Sequence, residues 1–383
     1  MARHLAAALL LVLMGALPAA AAAPAPVKSP YEPAEDCARC HSSIHRYWAE
    51  GPHAKSATSP AYRKALEALA PAGGTGAARA AREACVWCHA PTVLATGDYG
   101  LTQAISREGV TCDFCHTVSD VRMEQEGNPF VIEPGPLKRG PFTYTESPWH
   151  ETAYSLLHRS GPMLCAACHE YRNANGVAVL ESWSEWKAGP YPARGVSCQD
   201  CHMALVPGTT ADKAVGGQSQ RLINLHRVVG GSSRGQLNRG VEVAIDSVNR
   251  SSGTASVQVT VKNVAAGHPI PGGLSSKSLI LAVGVETSSD SMAHRQERVY
   301  RRELKDKGGR VLTSAGDLFL QAASVGADNR IKPQEARVER FSLSIPEGAR
   351  AIVARLEYRD ASDPSGPPVT SLVTEVRRNL ASR

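Results

Sequence analysis

The chain has 383 residues, 43% of them hydrophobic and only 5% aromatic, with ten cysteines and a formal charge of +6. That length suits about two domains, yet so few aromatics fill such cores thinly, and something other than side chains must occupy part of the interior. The basic residues are scattered and accompany no recognition motif, which argues against nucleic acid as a partner.

In chain order, Arg3 and His4 precede the apolar stretch Leu5 to Leu17 and the small residues Pro18 to Ala23. This is the layout of a secretory signal over residues 1–23. It predicts an exported mature chain beginning near Pro24 to Pro26, periplasmic or extracellular. No later run reaches the ~18 apolar residues of a membrane span, so no transmembrane segment is expected. Every cysteine falls in a paired motif, so none is expected to carry a lipid anchor.

Residues 31–235 hold five copies of one chemical device. They are Cys37-Ala-Arg-Cys40-His41, Cys85-Val-Trp-Cys88-His89, Cys112-Asp-Phe-Cys115-His116, Cys165-Ala-Ala-Cys168-His169 and Cys198-Gln-Asp-Cys201-His202. C-x-x-C-H is the attachment pattern of c-type haem. Cysteines three positions apart lie about one helical turn apart, so their sulfurs can reach two vinyl groups of one porphyrin. The next histidine then meets the iron as proximal ligand. Paired cysteines also hold zinc or form disulfides, but neither requires a histidine after every pair. With histidine at roughly 3% of residues, five such coincidences have a chance on the order of 10⁻⁸. Five covalent haems c are therefore expected. Each ferric haem adds roughly one net negative charge, which brings such a holoprotein near neutrality.

Between the motifs, Ala61 to Ala70 reads as a surface helix stopped by Pro71 and Gly73-Gly74. Arg122 to Ser147, with prolines at 129, 134, 136 and 141, reads as loop. The last four motifs resemble a duplicated pair: Arg107-Glu-Gly-Val-Thr-Cys112 and Ala193-Arg-Gly-Val-Ser-Cys198 open the second motif of each. A unit of about thirty residues cannot enclose two haems alone, so neighbouring units are expected to pack their haems together.

Setting aside His4 and the five motif histidines leaves His45, His53, His150, His158, His226, His268 and His294, with Met123, Met163, Met203 and Met292 as thioether alternatives. That supply favours bis-histidine, low-potential haems. His45, one turn after His41, cannot bind the same iron from the other side, but could reach another haem, a propionate or solvent. Gly51-Pro52 presents His53 from a fixed turn. His150 and His158 are eight apart and would share one helix face, as ligands or as core histidines. His226 lies in a Gly-rich stretch, and His268 is pinned among glycines and prolines. His294 stands in a polar run and is expected in solvent, and Met203 follows His202 too closely to ligate that motif's own haem.

After Gly240 the texture changes. Val241, Val243 and Ile245 alternate with Glu242, Ala244 and Asp246, and Val257, Val259 and Val261 do the same. Leu279 to Val285 is continuously apolar, and Phe341 to Ile345 and Ile352 to Tyr358 return to strand texture. These predict an antiparallel β-sandwich over residues 240–383. The fold class expected is multidomain: a mainly α and irregular multihaem cytochrome c domain at 31–235, then an all-β domain that covers the haem core, donates His268 or docks a partner.

Three blocks carry a resemblance: Asp36 to His41 through Trp48 to Ala54, Ser147-Pro-Trp-His150 to His169, and Glu185-Trp-Lys187 to Met203. So does Asn263-Val-Ala-Ala-Gly-His268-Pro-Ile-Pro-Gly272. Together they resemble the cytochrome c-554-like multihaem family, whose haem packing is related to hydroxylamine oxidoreductases and pentahaem nitrite reductases. The resemblance spans most of residues 30–285, with Gly272 where threonine is usual. It implies His53, His150, His158, His226 and His268 as distal ligands, one per haem, without assigning which serves which. The nitrite reductases end one motif in lysine, and the hydroxylamine oxidoreductases carry more haems; here all five motifs end in histidine.

The reading favoured is electron transfer with redox partner proteins, either other cytochromes or a quinol-oxidising complex; it leaves oligomerisation open. The alternative is a haem oxidoreductase for a small nitrogen or sulfur compound. It needs one open iron, with Tyr154, Tyr171 and Arg172 as groups to test. A third is a structural subunit of a larger assembly.

Overall fold

The computed structural model describes residues 28–69, 76–125, 127–143, 146–217, 222–288, 291–363 and 366–380. The signal expected at 1–23 lies outside them. The attachment motifs sit on short helices, Gly76–His89, Cys112–Thr117, Met163–His169 and Cys198–His202, while His41 is the N-cap of Ser42–Glu50. Each helix starts where local polar chemistry allows. The Ser197 backbone N–H and hydroxyl both donate to Asp200 in a capping box, at 2.7 and 3.0 Å. Glu108 accepts from Thr111 Oγ1 at 2.9 Å and from the Ala34 N–H at 3.0 Å, tying the third motif to the first.

The helix expected at 61–70 runs Pro60–Ala68, its first turn capped by Ser59. Its inner face is not on the surface: Tyr62 and Leu66 pack with Val86, Ala90 and Val93 of the second motif region. Two expectations are corrected. The stretch read as loop after Arg122 contains strands Phe130–Ile132 and Leu137–Gly140. His150 and His158 do not share a helix. Glu151–Tyr154 pairs in parallel with Leu137–Gly140, and a new helix, Leu156–Ser160, starts at the Ser155 cap. Pairing across the chain outweighs the local spacing there.

From Val241 on, strands dominate. Val241–Ser251, Thr254–Asn263 and Ala336–Ser344 form one antiparallel sheet, with Thr254–Asn263 at its centre. A second sheet runs Ser291–Tyr300, Lys277–Ser288, Ala351–Asp360, Val369–Asn379, also antiparallel. Both give their apolar faces to one core that includes Val257, Val259, Val261, Leu281, Val283 and Leu356. Lys277–Ser288 is central and buried on both faces over Leu279–Val283, which accounts for its unbroken apolar run. A smaller sheet of Arg302–Lys305, Val311–Leu312 and Ser324–Asp328, with helix Ala315–Gln321, seats this region on the haem-motif half. There Leu304, Leu312 and Leu318 pack with Val177 and Val179, and Asn173 donates to the Ala322 carbonyl at 2.8 Å. Among the described residues no helix is long and apolar enough to cross a membrane.

Candidate functional site

None of the ten cysteines forms a disulfide, and each is half-buried. Thiols from different motifs meet: Cys37 with Cys112, Cys88 with Cys168, and Cys165 with Cys198. The attachment helices therefore lie side by side, the first with the third, the second with the fourth, and the fourth with the fifth.

The histidine rings form facing pairs. Ring centres lie 6.2 Å apart for His41 and His150, 6.5 Å for His169 and His53, 6.2 Å for His116 and His226, and 6.4 Å for His202 and His268. Two imidazoles binding one metal from opposite sides, with metal–nitrogen bonds of about 2 Å, need ring centres about 6 Å apart. These separations are too long for ring stacking contact and suit an iron between the rings.

Backbone carbonyls fix which nitrogen is available. Nδ1 of His41 donates to Thr210 O, that of His116 to Arg139 O at 2.5 Å, and that of His202 to Val229 O at 2.9 Å. On the facing side, Nδ1 of His150 donates to Glu151 O, of His226 to Asn224 O and of His268 to Pro269 O, at 3.0, 2.7 and 2.9 Å. A carbonyl only accepts, so the proton is on Nδ1 and Nε2 is left as the metal-binding atom. Burial lowers His53 and His226 to about 4 and His169 to about 3, aided by neighbouring histidines, so the rings are neutral as a ligand must be. Cysteine pairs outside any disulfide, neutral rings and available Nε2 atoms together fit haem c.

Two histidines depart from this pattern. His89 donates Nδ1 to Ser56 O at 2.9 Å, but the ring stacked on it is that of Tyr62, at 4.2 Å and 9°. The Tyr62 hydroxyl is buried without a hydrogen-bond partner. His158 lies 5.7 Å from the His116 ring, but its Nε2 donates to Cys115 O and its Nδ1 bonds Ser155 Oγ, both at 2.8 Å. Of the remaining candidates, His45 packs against Trp48 at 5.3 Å with Nε2 3.6 Å from Glu35, and His294 is exposed. Met123 and Met163 pack into the apolar cluster around Phe114. Tyr154 is exposed, Tyr171 packs on Phe319 and lies near the Cys85 and Cys88 thiols, and Arg172 donates to Gly176 O.

One device escaped the sequence reading. Trp48 Nε1 donates to Val110 O at 2.8 Å, and Trp186 Nε1 donates to Val196 O at 3.0 Å. The Val110 N–H returns to His53 O, and the Val196 N–H to Tyr191 O. The signal was present as Trp-x-x-Gly-Pro-His at 48–53 and Trp-x-x-Gly-Pro-Tyr at 186–191. The differing last residue hides the repeat.

Five cysteine pairs, each followed directly by a histidine, are the pattern of a multihaem c-type cytochrome. Residues 36–117 match the family model described as cytochrome c554 and c-prime, and the chain is a multihaem c-type cytochrome resembling that family. A penta-heme cytochrome c552 from Thermochromatium tepidum superposes at a TM-score of 0.73 over 92% of this chain and 99% of its own, at 18% identity, and so shares the fold. A structural-genomics target (12% identity, 36% of this chain and 84% of that one) and a beta-glucosidase from Kluyveromyces marxianus (10%, 36% and 14%) reach TM-scores of only 0.16 and 0.15. No curated protein matches the chain.

Proposed function

We propose that the chain is an exported electron carrier with five haems c, its cytochrome domain at 31–235 covered by a β-sandwich domain at 240–383. The haem supplies a one-electron couple at each iron, and the chain's residues ligate, orient and space those irons. The observation that carries this reading is the set of four facing histidine pairs. It supports pairing His150 with the haem of His41, His226 with that of His116, His53 with that of His169, and His268 with that of His202. The contacts between Cys37 and Cys112, Cys88 and Cys168, and Cys165 and Cys198, with Cys115 of the third motif near Cys168 of the fourth to join them, favour a continuous row of haems along which an electron moves. Periplasmic or extracellular partners, other cytochromes or a quinol-oxidising complex, would load and unload the row.

The haem on His89 supports a second reading. Tyr62 stacks on the face of its ring, Tyr171 lies near its thiols, and no facing histidine pairs with it among the described residues. His158 is the distal histidine without a matched iron, and serving this haem requires it to release Cys115 O. If it does not, one iron is open to a small nitrogen or sulfur compound. Electron paramagnetic resonance of the oxidised holoprotein tests both. An all low-spin spectrum means every iron has two strong ligands and supports the carrier. About one haem in five high-spin marks an open site, and added nitrite, hydroxylamine or sulfite should then perturb that signal alone.

A further inference from the structure

At the seam between the two halves, carboxylates of the haem-motif half meet guanidinium groups of the strand-rich region. Arg330 pairs with Glu185 at 2.5 Å, with Asp328 at 2.7 Å and with Glu181 at 3.4 Å, and Arg302 pairs with Glu181 at 3.2 Å. Both arginine side chains are only 4% exposed and Glu185 is 10% exposed. Three carboxylates face two guanidinium groups, so the fully ionised cluster carries one uncompensated negative charge. Isolated charge is costly at such depth, and one proton makes the cluster neutral.

The cluster adjoins the ligand loop of one haem. Ile331, next to Arg330, exchanges both backbone hydrogen bonds with Ile270, two residues past His268. Asn263 Nδ2 bridges the His268 and Ile331 carbonyls at 3.1 and 3.2 Å. Arg330 is near enough to depress the basicity of the His268 ring. Trp186, the neighbour of Glu185, bonds Val196 two residues before Cys198 and approaches Gly267 so closely that a Cβ there would stand 3.1 Å from its ring.

We propose that Glu185 is a redox-linked proton site, taking a proton from water when the haem of His202 and His268 gains an electron and releasing it on oxidation. This rests on the reading that those two histidines share one iron. The electron comes from a reduced partner cytochrome, and the iron passes from ferric to ferrous. The added negative charge strengthens proton binding at the carboxylate, so charge balances locally. Burial pushes the Glu185 carboxyl up to about 7 against the pull of Arg330, with Glu181 raising it further. The other groups facing it are Arg302 and Asp328. From the elements packed on its helix, Ser182–Lys187, come His169 and Glu170, the latter accepting from Ser184.

Potentiometric titration of the full holoprotein across pH, in wild type and Glu185→Gln, tests this. One of the five potentials should fall as pH rises near neutrality, by up to tenfold in the redox equilibrium per pH unit, about 59 mV for one electron. In Glu185→Gln that slope should be flat. An unchanged slope assigns the proton to haem propionates and overturns the proposal. His268→Met separates the two levels: it should raise one potential, and if no potential moves, the ligation reading itself fails. Should Glu185→Gln not fold, reduced-minus-oxidised infrared spectra decide. A protonated-carboxyl band gained on reduction, whose onset pH shifts in Arg330→Lys, upholds the site; no gain, or no shift, overturns it.

Discussion

The segments around Trp48 and Trp186 build the same scaffold and finish it differently. In each, the tryptophan N–H holds the carbonyl of the valine that leads into an attachment motif, the Gly N–H three residues on returns to the tryptophan carbonyl, and that valine's N–H binds the residue after Gly-Pro. Gly51 lies against the Arg227 carbonyl, beside His226; Gly189 lies against the Gly267 carbonyl, beside His268. So each scaffold seats a motif histidine opposite a second one, His116 with His226 and His202 with His268. The difference is at the end of the turn. His53 reaches out to face His169 of the next motif pair, whereas Tyr191 packs on Gly267 with Arg194 over its ring at 5.7 Å. The scaffold fixes position; one side chain decides whether the row of facing histidines is extended or capped by the strand-rich region.

Exchanging those end residues should produce the largest effect. His53→Tyr removes a facing imidazole, so about one-fifth of the iron should lose its low-spin signal and one potential should move, since the axial ligand changes the couple most directly. Tyr191→His should leave haem count and spectrum unchanged, because no further motif pair follows for it to face. A new low-spin species in Tyr191→His would break the comparison.

A smaller effect is expected from Gly272→Ala. A Cβ at this position would stand 2.6 and 2.7 Å from Cε1 and Nδ1 of His268, so the ring must turn from His202 or the loop must move. Overpacking of this kind costs about 1–3 kcal/mol. Paramagnetic resonance should show one haem partly converted, and denaturation a lower midpoint. An unaltered spectrum would mean that His268 is not held by this contact. The sequence marks Gly272 as a departure from a threonine and no more.

What the sequence made legible follows the range of the forces involved. Covalent attachment forces cysteines and histidine into one short spacing, so all five motifs could be read outright. Strands with a buried face announce themselves by alternation, as at Val257, Val259 and Val261, all buried. The edge strands Ser291–Tyr300 and Val369–Asn379 carry polar, partly exposed side chains and left no such mark. Which imidazoles face each other was unreadable, since His41 and His150 are brought together by packing across more than a hundred residues. The local spacing of His150 and His158 misled for the same reason, because strand pairing at Glu151–Tyr154 intervenes. Arg302 and Arg330 were just two of 42 basic residues until the fold buried them against Glu181 and Glu185.

The finest test of the repeat is Trp48→Phe against Trp186→Phe. Each removes one N–H that satisfies a half-buried carbonyl while keeping an aromatic ring, so each should cost about 1 kcal/mol in chemical denaturation. If the two scaffolds are equivalent, the losses should agree within about 0.5 kcal/mol, and the double variant should show their sum, because the sites share no partner. A larger loss at Trp186 would mean that its scaffold also supports the seam, through Gly267 and the Glu185–Arg330 pair beside it. Trp48 has Tyr47 at the position of Glu185 and no equivalent charge cluster to disturb among the described residues. The sign of that difference therefore reads how far the second scaffold has been recruited into holding the two halves together.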